Sequence, residues 1–212
     1  MKNVAALFSG HLLMIVVSVL ALAGCRPVSS LETFVQPTPR EEYQDFLTSK
    51  IVSDDTFNIK TLSSALIVKA LFYGQDVDAR ARLLFHSDPI FSKETSDWGR
   101  TPKGAYGPPV VILMGLFAPD LGEKDVTKLG RFRPKLRTMD GRVLSPTSIK
   151  RFGRDSTFVR DYFPAFNPWE EVFLVKFNPL TSRGYYTSRL EFILEWPGGV
   201  QTLILNENAE AN

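Results

Sequence analysis

Few residues of this chain have the types needed for nucleophilic or metal chemistry. Its 212 residues include one cysteine, Cys25, and two histidines. His11 lies in an apolar N-terminal run, and His86 is the only histidine outside that run. A single cysteine excludes cysteine-rich zinc sites, iron–sulfur clusters and an internal disulfide. A Ser-His-Asp triad would need His86, yet Asp88 lies only two residues away and the Gly-x-Ser-x-Gly turn is missing. We therefore interpret His86 as the end of a helix and predict no catalytic residue.

Carboxylates occur in three close groups: Asp54-Asp55, Asp76-x-Asp78 and Glu170-Glu171. Adjacent residues of a strand point to opposite faces, so Glu170 and Glu171 make a poor glycosidase pair unless a distant carboxylate joins one of them. Asp76 and Asp78 lack the glycine and the downstream glutamate of a calcium loop, and Asp76 is better suited to cap a helix. Because the sequence has no phosphate-binding glycine-rich loop either, we predict neither a metal nor a cofactor.

One stretch of the chain is strongly basic. From Lys124 to Arg160 eleven basic and three acidic residues give a net charge of +8, whereas the whole chain has only +2. Four of these residues alternate with apolar ones and so share one face of a predicted strand: Arg131, Arg133, Lys135 and Arg137. Such a face could bind an anionic lipid, an acidic glycan or an acidic protein surface. Alternatively, the charges only keep an edge strand unpaired, since Pro134 predicts an edge.

A second candidate surface is aromatic. Prolines hold the segment from Tyr162 to Trp169 extended, and Phe166 and Trp169 within it are predicted to form a contact surface with Trp98 and Tyr106. Exposed rings of this kind stack on sugars or anchor a partner protein. The alternative is that these rings close one end of the hydrophobic core.

The N-terminus has the three-part layout of a secretory signal. Lys2 is followed by an apolar run from Val4 to Leu22 and then by small residues. All four positions of Leu22-Ala23-Gly24-Cys25 resemble the lipobox of bacterial lipoproteins. This resemblance implies export, acylation of the Cys25 thiol and cleavage immediately before that residue. An uncleaved transmembrane helix and a signal without lipid are the alternatives.

The resemblance also implies an address. Arg26 follows the cysteine, whereas aspartate at that position is the inner-membrane retention signal of enteric bacteria. We therefore expect a lipid anchor in the outer membrane, with the protein facing the periplasm. The membrane is then its first partner, and nucleic acid is disfavoured by the compartment.

The remaining sequence predicts one domain. Residues 1–24 form the signal, 25–37 a tether and 38–212 a single β-rich domain. Thr38-Pro39-Arg40-Glu41 has the form of a capping box and predicts a helix that includes Ile51. A second short helix capped by Asp76 follows, and His86 to Pro109 reads as a long loop.

Apolar or alternating runs predict strands over 65–73, 110–117, 131–137, 143–144, 171–177, 190–196 and 200–205, with a helix over 62–72 as the alternative to the first. Successive strands without a βαβ rhythm predict a mainly β, α+β fold. We expect an antiparallel β-sandwich with one or two short N-terminal helices.

Together these features predict a binding or structural module in an envelope assembly, whose partners are envelope proteins or an anionic lipid or glycan. The alternative is a hydrolase that acts on envelope glycans or lipids through an unrecognised carboxylate site. Two carboxylates that converge in a pocket would favour the hydrolase, whereas a flat aromatic or basic face would favour the module.

We expect intact-mass analysis of the protein purified from its host to show a mature N-terminus at Cys25 with lipid on the thiol, because the lipobox directs both modifications. A mature start elsewhere, or an unmodified thiol at Cys25, would contradict this expectation.

Overall fold

The computed structural model describes residues 38–58, 63–100, 107–119, 129–154, 156–178 and 190–205. The predicted signal, the lipobox, the tether and Tyr106 lie outside these ranges. Within them, no helix combines the length and the apolar character needed to cross a bilayer. The described residues from Pro39 onward belong to one compact unit.

Four helices and nine strands follow one another in the described ranges: α1 Pro39–Lys50, β1 Ile51–Asn58, β2 Ser63–Phe72, α2 Gln75–Phe85, α3 Pro89–Thr95, β3 Val110–Phe117, β4 Arg133–Arg137, β5 Val143–Leu144, β6 Pro146–Arg151, α4 Thr157–Tyr162, β7 Glu171–Phe177, β8 Leu190–Trp196 and β9 Gly199–Leu205.

The strands form two antiparallel sheets. The five-stranded sheet has the order β1-β2-β3-β7-β6, and the four-stranded sheet has the order β5-β4-β8-β9. This arrangement confirms the predicted mainly β, α+β fold with a sandwich of antiparallel sheets. Helical segments are more numerous than predicted and are not confined to the N-terminal part.

The central strand β3 is apolar throughout because both of its faces are buried. Val110, Ile112 and its other even-numbered residues pack between the two sheets, in a core completed by β2, β7, β8 and β9. Val111 and Leu113 face the other way, toward the helices. A strand buried on both faces needs a continuous apolar run rather than alternation, as its sequence predicted.

The helices cover the outer face of the five-stranded sheet with an aromatic layer. Tyr43 and Leu47 of α1, Val77 of α2 and Phe91 of α3 pack on that face together with the segment from Val159 to Phe166. Trp98 and Phe163 stack with their ring centres 5.8 Å apart. The fold therefore has three layers: the four-stranded sheet, the five-stranded sheet and the helices.

Several predicted boundaries are wrong. Ile51 begins β1 instead of lying on the helix, since it pairs with Leu71 of β2. Asp76 does not cap α2: Gly74 occupies the cap position without a side-chain hydrogen bond, and Asp76 lies inside the first turn. The predicted loop from His86 to Pro109 contains helix α3, in which Asp88 is the N-cap.

The sequence contained signals for two helices that were not predicted. Asp88 precedes Pro89, and its carboxylate accepts hydrogen bonds from the N–H groups of Ile90 and Phe91. Ser156 likewise caps α4 by accepting from the N–H of Val159. An aspartate or serine before a short helix, with proline at its first position in α3, is a standard start signal.

Gly115 lets the segment before β7 lie directly on β3. A Cβ atom at this position would be 2.7 Å from Cδ1 of Phe166 and 3.0 Å from Oε2 of Glu170. Both of these side chains are buried. Glycine inside a strand often marks such a close approach.

We expect Gly115→Ala to lower the free energy of unfolding by about 1–3 kcal/mol, because the new methyl group overpacks a buried contact. Gly130→Ala is the matched control, since a Cβ there meets no atom within 4 Å, and its effect should stay below about 1 kcal/mol. Urea denaturation of the purified protein measures both. Equal effects of the two substitutions would contradict the close-packing role of Gly115.

Candidate functional site

The outer surface of the four-stranded sheet is exposed to solvent along its outer strands β5 and β9, whereas Ile193 in the middle of β8 is buried. Val143 of β5 is 50% exposed, and Val200 and Ile204 of β9 are 63% and 37% exposed. The outer face of the other sheet is instead buried beneath the helices. We call this surface of β5, β4, β8 and β9 the open face.

A ladder of opposite charges crosses the open face between β4 and β8. Nζ of Lys135 lies 2.6 Å from Oε1 of Glu195, and Nη1 of Arg137 lies 3.1 Å from Oε2 of Glu191. These partners come from neighbouring antiparallel strands, with Arg137 directly opposite Glu191. Residues at such positions in a sheet are close enough to interact.

The alternation of buried and exposed residues predicted around Pro134 is confirmed. The predicted edge position holds for only part of β4. Phe132, Pro134 and Leu136 are buried, whereas Arg131 and Arg133 are exposed. β5 pairs with Leu136 and Arg137 alone, so the first half of β4 has no described neighbour on that side. This edge position agrees with the missing N–H of Pro134.

The basic stretch carries less free charge than its sequence indicates. Acidic residues from distant segments pair with most of its described members: Glu191 and Glu195 on β8, Glu94 on α3 and Glu171 on β7. The pairs of Glu191 and Glu195 are partly exposed and contribute roughly 0–1 kcal/mol each to stability, whereas Glu171 is buried. Their main consequence is that the open face presents alternating charges rather than a uniformly positive surface.

Two of the four rings predicted to form an aromatic contact surface are buried instead. Trp98 is 1% exposed and Phe166 is 4% exposed, so both belong to the buried layer beneath the helices. Trp169 is 53% exposed, and Tyr106 lies outside the described residues. The burial of two of the four rings corrects the prediction, because a ring inside the core cannot stack on a ligand.

Glu170 and Glu171 are both buried, and each is paired separately. Glu170 lies 2.8 Å from Nζ of Lys69 and also accepts hydrogen bonds from the backbone N–H and the side-chain amide of Asn167. Glu171 accepts two hydrogen bonds from Arg151 and contacts Arg154 at 3.2 Å. The two carboxylates therefore stabilise separate parts of the fold and do not converge on a shared site.

A polar groove of about 470 Å³ lies between α3 and strands β6 and β7. Three lysines line it, Lys93, Lys150 and Lys176, together with the carboxylates of Glu94 and Asp97. Glu94 pairs with Lys150, and Asp97 lies 3.4 Å from Nζ of Lys176. Because each carboxylate already has a counterion, the groove offers no free acid–base pair.

A smaller pocket of about 210 Å³ lies beside the start of α2. Asp78 borders it and accepts hydrogen bonds from the hydroxyl of Tyr73 at 2.8 Å and from Nε of Arg82 at 2.8 Å. Burial, followed by the charge of Asp78, raises the pKa of the Tyr73 hydroxyl above its usual value. A tyrosine that keeps its proton in this way is a hydrogen-bond donor rather than a general base.

His86 is the C-cap of α2, as predicted. The carboxylate of Asp88, two residues away, accepts hydrogen bonds from other groups. Oδ2 of Asp88 accepts a hydrogen bond of 2.6 Å from the hydroxyl of Tyr162. Burial and then this bond raise the pKa of Tyr162 to about 12. In the described ranges, no group of three or more potential ligands is placed to hold a metal ion.

No family model, no curated protein and no solved structure matches this chain. Its function must therefore be inferred from the geometry of its own residues.

We expect Lys69→Met to lower the free energy of unfolding by about 3–5 kcal/mol, because it leaves the buried carboxylate of Glu170 without a counterion. Lys135→Met removes one partner of an exposed pair and should cost about 1 kcal/mol or less. Urea denaturation at neutral pH compares the two variants. Similar losses from both would show that Glu170 does not depend on Lys69.

Proposed function

We propose that this protein is an outer-membrane-anchored lipoprotein, facing the periplasm, whose folded domain is a binding module for another envelope protein. The lipobox Leu22-Ala23-Gly24-Cys25 supports the anchor, since acyl chains on a cysteine hold a protein persistently at a membrane. The open face supports the binding role. Its alternating charge ladder, flanked by exposed apolar side chains, is the observation that carries the proposal.

A protein surface suits this face better than an anionic lipid or glycan does. The four basic residues on β4 and just before it lie on the same surface as Glu191 and Glu195. Glu191 pairs with Arg137, and Glu195 pairs with Lys135. Attraction to anionic membranes grows with the excess of positive charge, and these pairs reduce that excess. A pattern of alternating charge beside apolar residues instead selects a partner with the complementary pattern.

The carboxylates favour the module over the alternative of a hydrolase. Glu170 and Glu171 are buried in separate ion pairs, and Glu94 and Asp97 in the larger groove are each paired with a lysine. A glycosidase needs one carboxylic acid and one carboxylate on either side of the scissile bond. The described grooves do not present such a pair.

A charge swap tests recognition through the ladder. In Arg137→Glu/Glu191→Arg, the cross-strand pair and the net charge are retained, while the pattern presented to a partner is reversed. A photo-crosslinking amino acid at Val143, which lies opposite Arg137, reports the partner in intact host cells. We expect a discrete adduct with one envelope protein, reduced at least about tenfold by the swap, because like charges now meet at the interface.

Lys150→Glu/Glu94→Lys is the matched control, since it swaps an exposed pair in the groove on the helical side. This variant should keep the adduct. The proposal fails if no protein adduct forms, or if both swaps leave it unchanged. Binding to vesicles of anionic lipid that the ladder swap does not alter, without a protein adduct, would instead assign the face to lipid.

A further inference from the structure

The two sheets have four edge strands, and three of them are protected against pairing with another chain. β1 carries Asp54 and Asp55 and has a bulge after Thr56. β6 begins at Pro146, has an irregular register there and carries Lys150. β5 is only two residues long. Charges, proline, bulges and short length are the usual features that prevent strand addition at an edge.

β9 has none of these features. Its seven residues, Gly199 to Leu205, pair with β8 in an unbroken register, and they include neither a charge nor a proline. Its outward side chains, Val200, Thr202 and Ile204, are exposed. From inside the sandwich, Gln201 donates a hydrogen bond to Thr56. The strand is thus held against β1, while no described strand is hydrogen-bonded to its outer edge.

The register of the β8–β9 hairpin shows which backbone groups point outward. Trp196 pairs with Gly199 across a two-residue turn, and such a turn is closed by a pair that exchanges both backbone hydrogen bonds. The backbone groups alternate in direction along an antiparallel strand. Val200, Thr202 and Ile204 therefore direct their N–H and C=O groups to the free edge.

We propose that β9 pairs with β9 of a second copy of this chain, antiparallel and with a two-fold axis at Thr202. In this register Thr202 lies opposite Thr202 of the second copy, and Val200 lies opposite Ile204 on both sides of the axis. All three outward-directed residues then form hydrogen-bonded pairs, and the apolar side chains meet across the strands. The result is a continuous eight-stranded sheet with an isologous interface.

The occupant is a second copy because the strand is complementary to itself. Its apolar residues are placed symmetrically about Thr202, and the absence of charge in β9 removes like-charge repulsion between copies. Self-pairing of β1 or of β6 would instead bring carboxylates or basic residues together. This inference goes beyond the proposed function, since it concerns the edge of the sheet rather than the open face and does not require the lipid anchor.

Cysteine cross-linking of the full chain tests both the pairing and its register. A hydrogen-bonded pair has Cα atoms about 5.5 Å apart, which suits a disulfide. Thr202→Cys should therefore give a covalent dimer on mild oxidation. Val200→Cys alone should not, because it lies opposite Ile204, whereas Val200→Cys/Ile204→Cys should. The unsubstituted chain controls for Cys25.

A charge at the axis provides the second arm. Thr202→Lys places two ammonium groups opposite each other and should raise the dimer dissociation constant by about tenfold or more in sedimentation velocity. Val143→Lys, an exposed substitution at the opposite edge of the same sheet, is the matched control and should leave it unchanged. Circular dichroism verifies that both variants are folded.

The inference is overturned if Thr202→Cys gives no dimer, if Val200→Cys alone cross-links as well as Thr202→Cys does, or if Thr202→Cys joins a different protein in the host. It is also overturned if the chain sediments as a monomer at every concentration. None of these results bears on the charge swap at the open face, so the two proposals fail independently.

Discussion

The burial of β3 on both faces is the constraint on which the rest of the structure depends. Each large apolar side chain removed from water contributes about 1.5–3 kcal/mol, and this strand has such side chains on both sides. The four-stranded sheet covers one side and the helices cover the other. The described helices pack on the five-stranded sheet, so the outer face of the four-stranded sheet has no described helix packed on it.

Electrostatics follow the same layering. Beneath the helices, the ion pair of Lys69 with Glu170 is largely buried. Each partner needs the other, because a buried charge without a counterion is strongly destabilising. On the open face, the pairs between β4 and β8 are solvated and contribute little to stability. Because the fold does not need these charges for stability, they can act in recognition of a partner. This agrees with the proposed role of the domain as a binding module.

The sequence predicted well those elements whose pattern is local. The unbroken apolar run identified β3 to the residue, and the alternation around Pro134 identified the buried and exposed faces of β4. The prediction of one long loop is wrong over α3, whose start signal, Asp88-Pro89, is present in the sequence. Boundaries such as that at Ile51 were wrong because pairing with β2 decided them.

The candidate site was harder to predict because it is assembled from distant segments. The basic face of β4 was visible in the sequence, but its neutralisation by Glu191 and Glu195 depends on a register between strands more than fifty residues apart. The burial of Trp98 and Phe166 depends on the same tertiary arrangement. Alternation shows which residues share a face, whereas only the fold shows what lies next to that face.

Hydroxyl-radical footprinting of the protein in its native envelope, compared with the purified chain, tests the central claim most directly. Val143 and Val200 on the open face should react less in the envelope than after purification, because a partner covers them there. Leu83 and Ile90 on the helical side, which are 81% and 64% exposed, should react equally in both. Equal reactivity of the open face in the two states, or protection confined to the helical side, would contradict the account.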